Sequence, residues 1–493
     1  MSAPTSRRRV LAAAAALPIA ACGGCKVAEA TLRLQPEMIG GPVPAELFGS
    51  NLQWTGAGDG ALVSAPGGGF AWNKALLRLV ADGGLSVVRF PGGALANTYR
   101  WRNGVGPRAD RAAGKNFVGG EEASVFGSDE LIGFAGRTGV QLLLTANAAA
   151  GPEEAADWVE YMNGGPATAM GALRVRNTGA QAPGVRWWEV GNELYSPKEP
   201  GHTSAAVYAR TVVAFREAMR RRDPAVRVGA MLEGSFQSAE WMAGVMPELT
   251  VWNAAVVRAC AADIDFISLH FSAPYDTVWP DDRLRELTLA GALVLRKTIG
   301  EVRSLLAQVG RPRLPILVTE YTAFYGGGRP ELIAGLDGAL FDALVLLELM
   351  RQPAVVAAAN WSLVNDGAFG LAAGDGEQLK PRPSFEMLRR LRTLAGLSIV
   401  GMDIQGPTYA TAAKGSIPDL SRVPMLDGVA VALSPGRYRL AVVNRSACTA
   451  VAAKLESGLR VAVGGPAVSP AFRPGDTRLN LPASSLSVVD LAG

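Results

Sequence analysis

The sequence predicts an α/β protein: a (β/α)8 barrel followed by a small all-β sandwich. Three observations predict it. Between about residue 45 and residue 395, eight short apolar runs alternate with longer helical patterns, as in repeated βα units around a parallel sheet. After Gly396 the texture changes to short β-rich runs separated by turn residues. With 493 residues, 49% of them apolar and 19% charged, the chain is long enough for a barrel plus a smaller module. An open doubly wound sheet is the alternative for the first part.

The eight runs are, in order, ELFGSNLQW, SVVRFPGG, QLLLTANAA, VRWWEVGNE, VRVGAMLEG, DFISLHFSAP, LPILVTEYTA and VAAANWSLVND. Each is short enough for a strand, and Trp187 to Val190 is continuously apolar apart from Glu189, as a strand buried on both faces requires. Helices fall between them. Ser128 followed by Asp129 and Glu130 reads as an N-cap with acids in the first turn. Pro152 with Glu153 and Glu154 reads as a helix start, and Ala205 to Arg222 as a helix closed by Asp223-Pro224. In the tail, VAVALSPGRYRLAVVNRS reads as a hairpin turning at Ser434-Pro435-Gly436, and LNLPASSLSVVDL adds strand character. TLRLQP near residue 31 supplies a further strand to that sandwich. The Gly clusters at 67–69 and 326–328 read as barrel loops.

The first residues read as an export signal. Arg7, Arg8 and Arg9 precede an apolar stretch, Val10 to Ala21, that is too short to span a bilayer. Ser6 to Leu11 resembles a twin-arginine motif, and Ile19-Ala20-Ala21-Cys22 resembles a bacterial lipobox whose cleavage would leave Cys22 lipidated; a plain secretory signal cut slightly later is the alternative. The division expected is thus a signal over 1–21, lipidated Cys22 and a tether over 22–30, a sandwich strand over 31–45, the barrel over 46–395 and the sandwich over 396–493. The protein would be an exported, periplasmic or outer-membrane-anchored lipoprotein of a bacterium. With Cys22 lipidated, Cys22 and Cys25 are not a redox pair, and Cys260 and Cys448 read as buried thiols. The net charge of +4 falls to about +1 without the three N-terminal arginines, which gives no electrostatic case for nucleic acid.

Barrel active sites form at the C-terminal ends of the strands, so the polar residues that end the eight runs are the candidates. Glu193 ends the fourth run in VGNE, and Glu320 ends the seventh in ILVTEY. Two carboxyls facing one mouth are the equipment for glycoside hydrolysis, one protonating the leaving oxygen and the other attacking the anomeric carbon. Trp54, Trp101, Trp361 and Tyr321 would stack on sugar rings or else pack in the core. Phosphate-binding readings fail because the Gly56–Gly60 stretch and PGG at 91–93 lack a P-loop lysine. With only His202 and His270, and no G-x-S-x-G elbow, neither a serine triad nor a metal site is expected; nor is a cofactor.

RFPGGALANTYRWRNGVGPR, FGSDELIGFA, GPEEAADWVEYMNG, WWEVGNELYSP and LPILVTEYTAFYG together resemble glycoside hydrolase family 51, in that family's order. That family belongs to a clan of (β/α)8 retaining glycosidases, and the resemblance implies an α-L-arabinofuranosidase-like enzyme acting on oligo- or polysaccharide. It assigns Glu193 as acid/base, Glu320 as nucleophile and Asn192 as the amide that bonds the sugar 2-hydroxyl. Arg89 would hold Glu320 ionised; His270 and Phe324 are further site residues. Glu193 should have a raised pKa, with Trp187 and Trp188 helping to exclude water. Family members are often oligomers. Four positions depart from the family pattern: Gln53 replaces a glutamate, Ala94 an asparagine, Ser272 a tyrosine and Ser362 a glutamine. All four are sugar-holding positions, so the resemblance carries the chemistry further than the sugar. The rivals are a β-glycosidase or endo-glycanase on the same scaffold, and a carbohydrate-binding lipoprotein without hydrolytic activity.

Overall fold

The structure, a computed structural model, describes residues 27–234, 249–274, 283–324, 329–364, 367–462 and 472–493. Cys22 with the whole export signal, and the Gly cluster at 326–328, lie outside the described residues. Eight parallel strands close into a ring in sequence order: β1 (Gly49–Asn51), β2 (Val87–Phe90), β3 (Gln141–Ala146), β4 (Trp187–Val190), β5 (Arg227–Glu233), β6 (Phe266–Pro274), β7 (Ile316–Phe324) and β8 (Val355–Asn360). β8 pairs back onto β1, and β4 onto β5, so the sheet has no free edge and the open doubly wound alternative is excluded.

Side chains alternate along each strand. In β2, Val88 and Phe90 join the core beneath the helices, while Val87 points into the ring with Leu143, Phe266, Leu317 and Ala357. Gly229 in β5 is required there, because a Cβ on it would stand 2.3 Å from the Phe266 ring. The helices follow their sequence signals. Pro152 opens Pro152–Asn163, and Ser204 caps Ala205–Arg222 by accepting from the Val207 amide. Ser128 is not the cap of its helix. Gly127 holds that place, its amide donating to Glu130 Oε2 at 3.0 Å, and the Ser128 hydroxyl instead accepts from Trp158 Nε1 at 2.9 Å.

The second module is an eight-stranded sheet wrapped on its own core. Strand Val27–Pro42 lies inside it, antiparallel to Ser398–Gln405 on one side and parallel to Ala450–Leu455 on the other. This strand begins four residues earlier than 31, so residues 27–30 are sheet rather than tether. The hairpin Leu426–Ser434 with Arg437–Asn444 alternates cleanly: Leu440 and Val442 face the sheet's own core, Ala441 and Val443 face the barrel. Asp427 joins the two modules. It takes Arg351 Nη2 at 2.5 Å and Arg445 Nη2 at 2.8 Å, and Arg445 Nε also donates to the Leu289 carbonyl of a barrel helix at 3.0 Å. Cys260 is buried, as expected, but Cys448 is exposed, because it sits in the turn after Asn444 rather than in a strand. Among the described residues no helix is long and apolar enough to cross a membrane.

Candidate active site

The ring interior is built in layers. The apolar floor, where Trp187 stands edge-on to Phe266 with centroids 5.2 Å apart, carries a polar layer of Arg89, Thr145, Glu189, Ser268 and Thr319. Arg89 is fully buried and spends its donors on four partners: Glu189 Oε2 at 2.5 Å, Glu320 Oε1 at 2.7 Å, and the side-chain oxygens of Asn51 and Asn192 at 2.9 Å each. Thr145 Oγ1 donates to the same Glu189 oxygen at 2.8 Å. A buried guanidinium making four such bonds fixes the groups above it.

Glu320 reaches the mouth through a bulge. Leu269 pairs with Val318 but His270 pairs with Glu320, so Thr319 is the extra residue. Thr319 already faces inward, its hydroxyl 3.2 Å from that of Ser268, and the bulge turns the next side chain inward as well. Glu320 and His270 are thereby register partners on neighbouring strands, with His270 Nδ1 3.5 Å from Glu320 Oε2.

Glu193 arrives differently. Gly191 ends β4 at φ +69°, and Glu193 itself is left-handed at φ +46°, a conformation that costs a glutamate energy and is kept only where its surroundings impose it. Asn97 imposes much of it: its side-chain oxygen accepts from the Asn192 amide and its nitrogen donates to the Asn192 carbonyl, both at 2.8 Å. Asn97 Nδ2 also donates to Glu199 Oε2 at 2.8 Å. Glu193 Oε1 receives the Tyr195 hydroxyl at 3.0 Å and lies 2.8 Å from His270 Nδ1. One oxygen from each of Glu193 and Glu320 and one nitrogen of His270 all lie within 4.8 Å of one another. Donor atoms at that spacing could surround a metal ion, but the Arg89 guanidinium against Glu320 occupies the electrostatic role a cation would have.

Burial pushes these carboxyls up, and neighbouring charges decide which give way. Against burial, Arg89 holds Glu189 below the usual carboxylate range. Glu320 is raised: burial and the adjacent Glu193 charge outweigh His270 and Arg89. Glu193 is lowered, because the His270 hydrogen bond and charge and the Tyr195 hydroxyl overcome its burial. His270 is raised in spite of burial by Glu320 and Glu193. Glu199 is pushed up to about 7 by burial and by the charges of Glu193 and Glu320.

The profile of the α-L-arabinofuranosidase 1 domain matches residues 79–254, which carry β2 to β5 and Glu193. An intracellular exo-α-(1→5)-L-arabinofuranosidase of Streptomyces lividans is 27% identical over 446 residues, covering 85% of this chain and 64% of that protein. An exo-α-(1→6)-L-arabinofuranosidase of Bifidobacterium longum is 26% identical over 452 residues, covering 85% of this chain and 83% of that one. The fold matches the α-L-arabinofuranosidase of Thermotoga maritima with a TM-score of 0.78 at 22% identity, over 94% of this chain and 100% of that one. The chain is similar to the α-L-arabinofuranosidases of glycoside hydrolase family 51.

In this family-51-like site, Glu193, Glu320, Asn192, Arg89 and His270 come together as the sequence suggests. Gln53 lies against the turn after β2, where a Cβ on Gly92, at φ +96°, would meet Gln53 Cγ at 2.9 Å. A cavity of about 460 Å³ opens beside Gln53, lined also by Asp59, Asn116, Phe117 and Glu122. Phe324 and Trp361 are half-buried with centroids 6.1 Å apart, and Phe369, which the sequence reading missed, stacks on Phe324 at 5.9 Å. Trp54, Trp101 and Tyr321 are not exposed platforms. Trp54 packs on Tyr99, Trp101 on Tyr161, and Tyr321 points outward from the ring because Glu320 points in.

Two electrostatic expectations are reversed. Glu193 is lowered rather than raised, because His270 and Tyr195 overcome its burial, and Glu320 is raised in spite of His270 and Arg89, because burial and the Glu193 charge outweigh them. Nor do the tryptophans shield Glu193: Trp187 is in the floor, and Trp188 faces outward with its Nε1 on the Val185 carbonyl. Asn97, Tyr195, Glu189 and Glu199 escaped the sequence reading. Tyr195 had one signal, its place two residues after Glu193.

Proposed function

We propose that this protein is a retaining glycoside hydrolase that removes α-L-arabinofuranosyl units from oligo- or polysaccharide by double displacement. One observation carries the reading: oxygens of Glu193 and Glu320, 127 positions apart in the chain, stand within 4.8 Å across one mouth. Carboxyls of a retaining pair stand about 5–5.5 Å apart, whereas an inverting pair stands about 6.5–9.5 Å apart to admit a water between them.

Glu320 attacks the anomeric carbon while Glu193 gives its proton to the departing oxygen; a water deprotonated by Glu193 then releases the sugar with retained configuration. Catalysis needs the proton on Glu193 and the charge on Glu320. His270 stands between the two carboxyls. Its Nδ1 lies 2.8 Å from Glu193 Oε1 and 3.5 Å from Glu320 Oε2, so one imidazole touches both carboxyls. A sugar carbon settling over Glu320, with positive charge developing on it, favours the ionised form of that carboxyl. Arg89 then keeps the attacking oxygen aimed.

The test is a panel of aryl glycosides (α-L-arabinofuranosides, xylosides, glucosides and galactosides), with Glu320→Gly beside the wild type. We expect hydrolysis of the arabinofuranoside, no turnover by the variant alone, and azide rescue giving an arabinosyl azide of inverted configuration. Inertness of the wild type across the panel would instead make the protein a carbohydrate binder. Export is a separate proposal, supported by the twin-arginine and lipobox resemblance of residues 6–22, although the Streptomyces relative is named intracellular. Labelled palmitate incorporated by the wild type but not by Cys22→Ala supports it; an uncleaved N-terminus in cells sinks it.

A further inference from the structure

We propose that Tyr195 is a positioning residue for the acid/base: its hydroxyl and His270 together occupy Glu193 Oε1, leaving Oε2 as the oxygen that carries the proton to the leaving group. This rests on the glycosidase reading above. Tyr195 Oη lies 3.0 Å from Glu193 Oε1, and His270 Nδ1 approaches the same oxygen at 2.8 Å. Both neighbours therefore favour negative charge on Oε1, and a proton on that carboxyl is best placed on the other oxygen.

The ring is held as a positioning group should be. Tyr195 is 4% exposed and meets Trp252 edge-on at 5.8 Å, and Trp252 in turn packs on Tyr208 at 5.3 Å. Around the pair stand His270 from β6, Arg89 from β2, Glu320 from β7, Glu233 at the end of β5 and Glu199 from the same loop. With burial and three of these carboxylates, Glu193, Glu233 and Glu320, against its ionisation, Tyr195 keeps its proton well past the ordinary tyrosine range. It is thus a constant O–H donor, unlike His270, whose donation changes with protonation. The resemblance puts a tyrosine at position 272, where this chain has a serine, so Tyr195 brings a phenol to the site from a different strand end.

Tyr195→Phe removes the hydroxyl and keeps the ring. Two measurements decide the matter. In the first, kcat/KM, which reports formation of the glycosyl-enzyme, is compared on 2,4-dinitrophenyl and on alkyl α-L-arabinofuranosides. Loss of acid alignment should slow the alkyl substrate by at least about tenfold and the dinitrophenyl substrate, which needs no protonation to depart, by less than about threefold. Equal losses on both, or none on either, overturn the proposal. The second needs no turnover: a titration of 13C-carboxyl-labelled glutamates, with the Glu193 signal identified by its loss in Glu193→Gln. Removing one donor from the charged form should raise the Glu193 titration by about one pH unit in Tyr195→Phe. An unmoved titration overturns the contact whatever the sugar, while an inert wild type with a shifted titration overturns only the glycosidase reading.

Discussion

The Arg89 guanidinium and the Glu189 carboxylate, inward-facing residues of β2 and β4, meet at 2.5 Å with almost no solvent contact. Their pairing underlies everything above it, because the same guanidinium also holds Glu320 and Asn192. Glu189→Gln would leave Arg89 with one carboxylate fewer in a dry interior. Breaking a buried pair on one side costs about 3–5 kcal/mol, and the remaining Glu320 contact places this variant near about 3 kcal/mol. Denaturant unfolding checks it, and a loss under about 1 kcal/mol would mean that water reaches the layer.

The acid side of the pH profile should lie higher than a solvent-exposed glutamate would give, since Glu320 must be ionised to attack and its carboxyl is raised. His270 pulls it down. His270→Ala should therefore move the acid limb of kcat/KM upward, and a downward move would contradict the charge placement described here.

Glu199 offers a stability test with the opposite sign from most carboxylates. Its folded value of about 7 lies above the ordinary 4.5, so its contribution is fully present below pH 4.5 and is lost as pH rises through about 7. Glu199→Gln should leave the melting temperature unchanged at pH 4 and raise stability at pH 8 by about 1–3 kcal/mol, the lower figure allowing for solvent screening of a half-buried group.

Asp427 behaves in the usual direction. Burial alone would raise it, but Arg351 and Arg445 bring it from 3.8 to about 2. Its stabilisation, about 2 kcal/mol, is present above pH 3.8 and disappears as pH falls through about 2. Asp427→Asn should cost at least that much at pH 7, leaving two arginines facing each other between the modules, and calorimetry at pH 7 and pH 3 would show the difference shrink.

Much of this was legible in the sequence because strand ends announce themselves. VGNE and ILVTEY each break an apolar run with an acid, and the eight runs count out the ring. What stayed hidden depends on long-range geometry. The bulge at Thr319 leaves no mark in LVTEY, and Asn97 meets Asn192 only because the loop after β2 folds over the end of β4. The opposite shifts of Glu193 and Glu320 depend on where His270 falls between them, a matter of tenths of an ångström. The aromatics misled for a plain reason: a tryptophan at a strand end fills space between loop and helix as readily as it faces a cleft.

Among the described residues, strand Val27–Pro42 sits between five strands on one side and two on the other, all seven drawn from residues beyond 397. It is the first described segment to leave the ribosome, yet the strands paired beside it, Ser398–Gln405 and Ala450–Leu455, are made last. While the ring assembles, both of its edges stay open, inviting mispairing with other nascent chains. A shortened version ending near residue 396 would carry that hazard permanently, and one starting after residue 42 would split the terminal sheet in two.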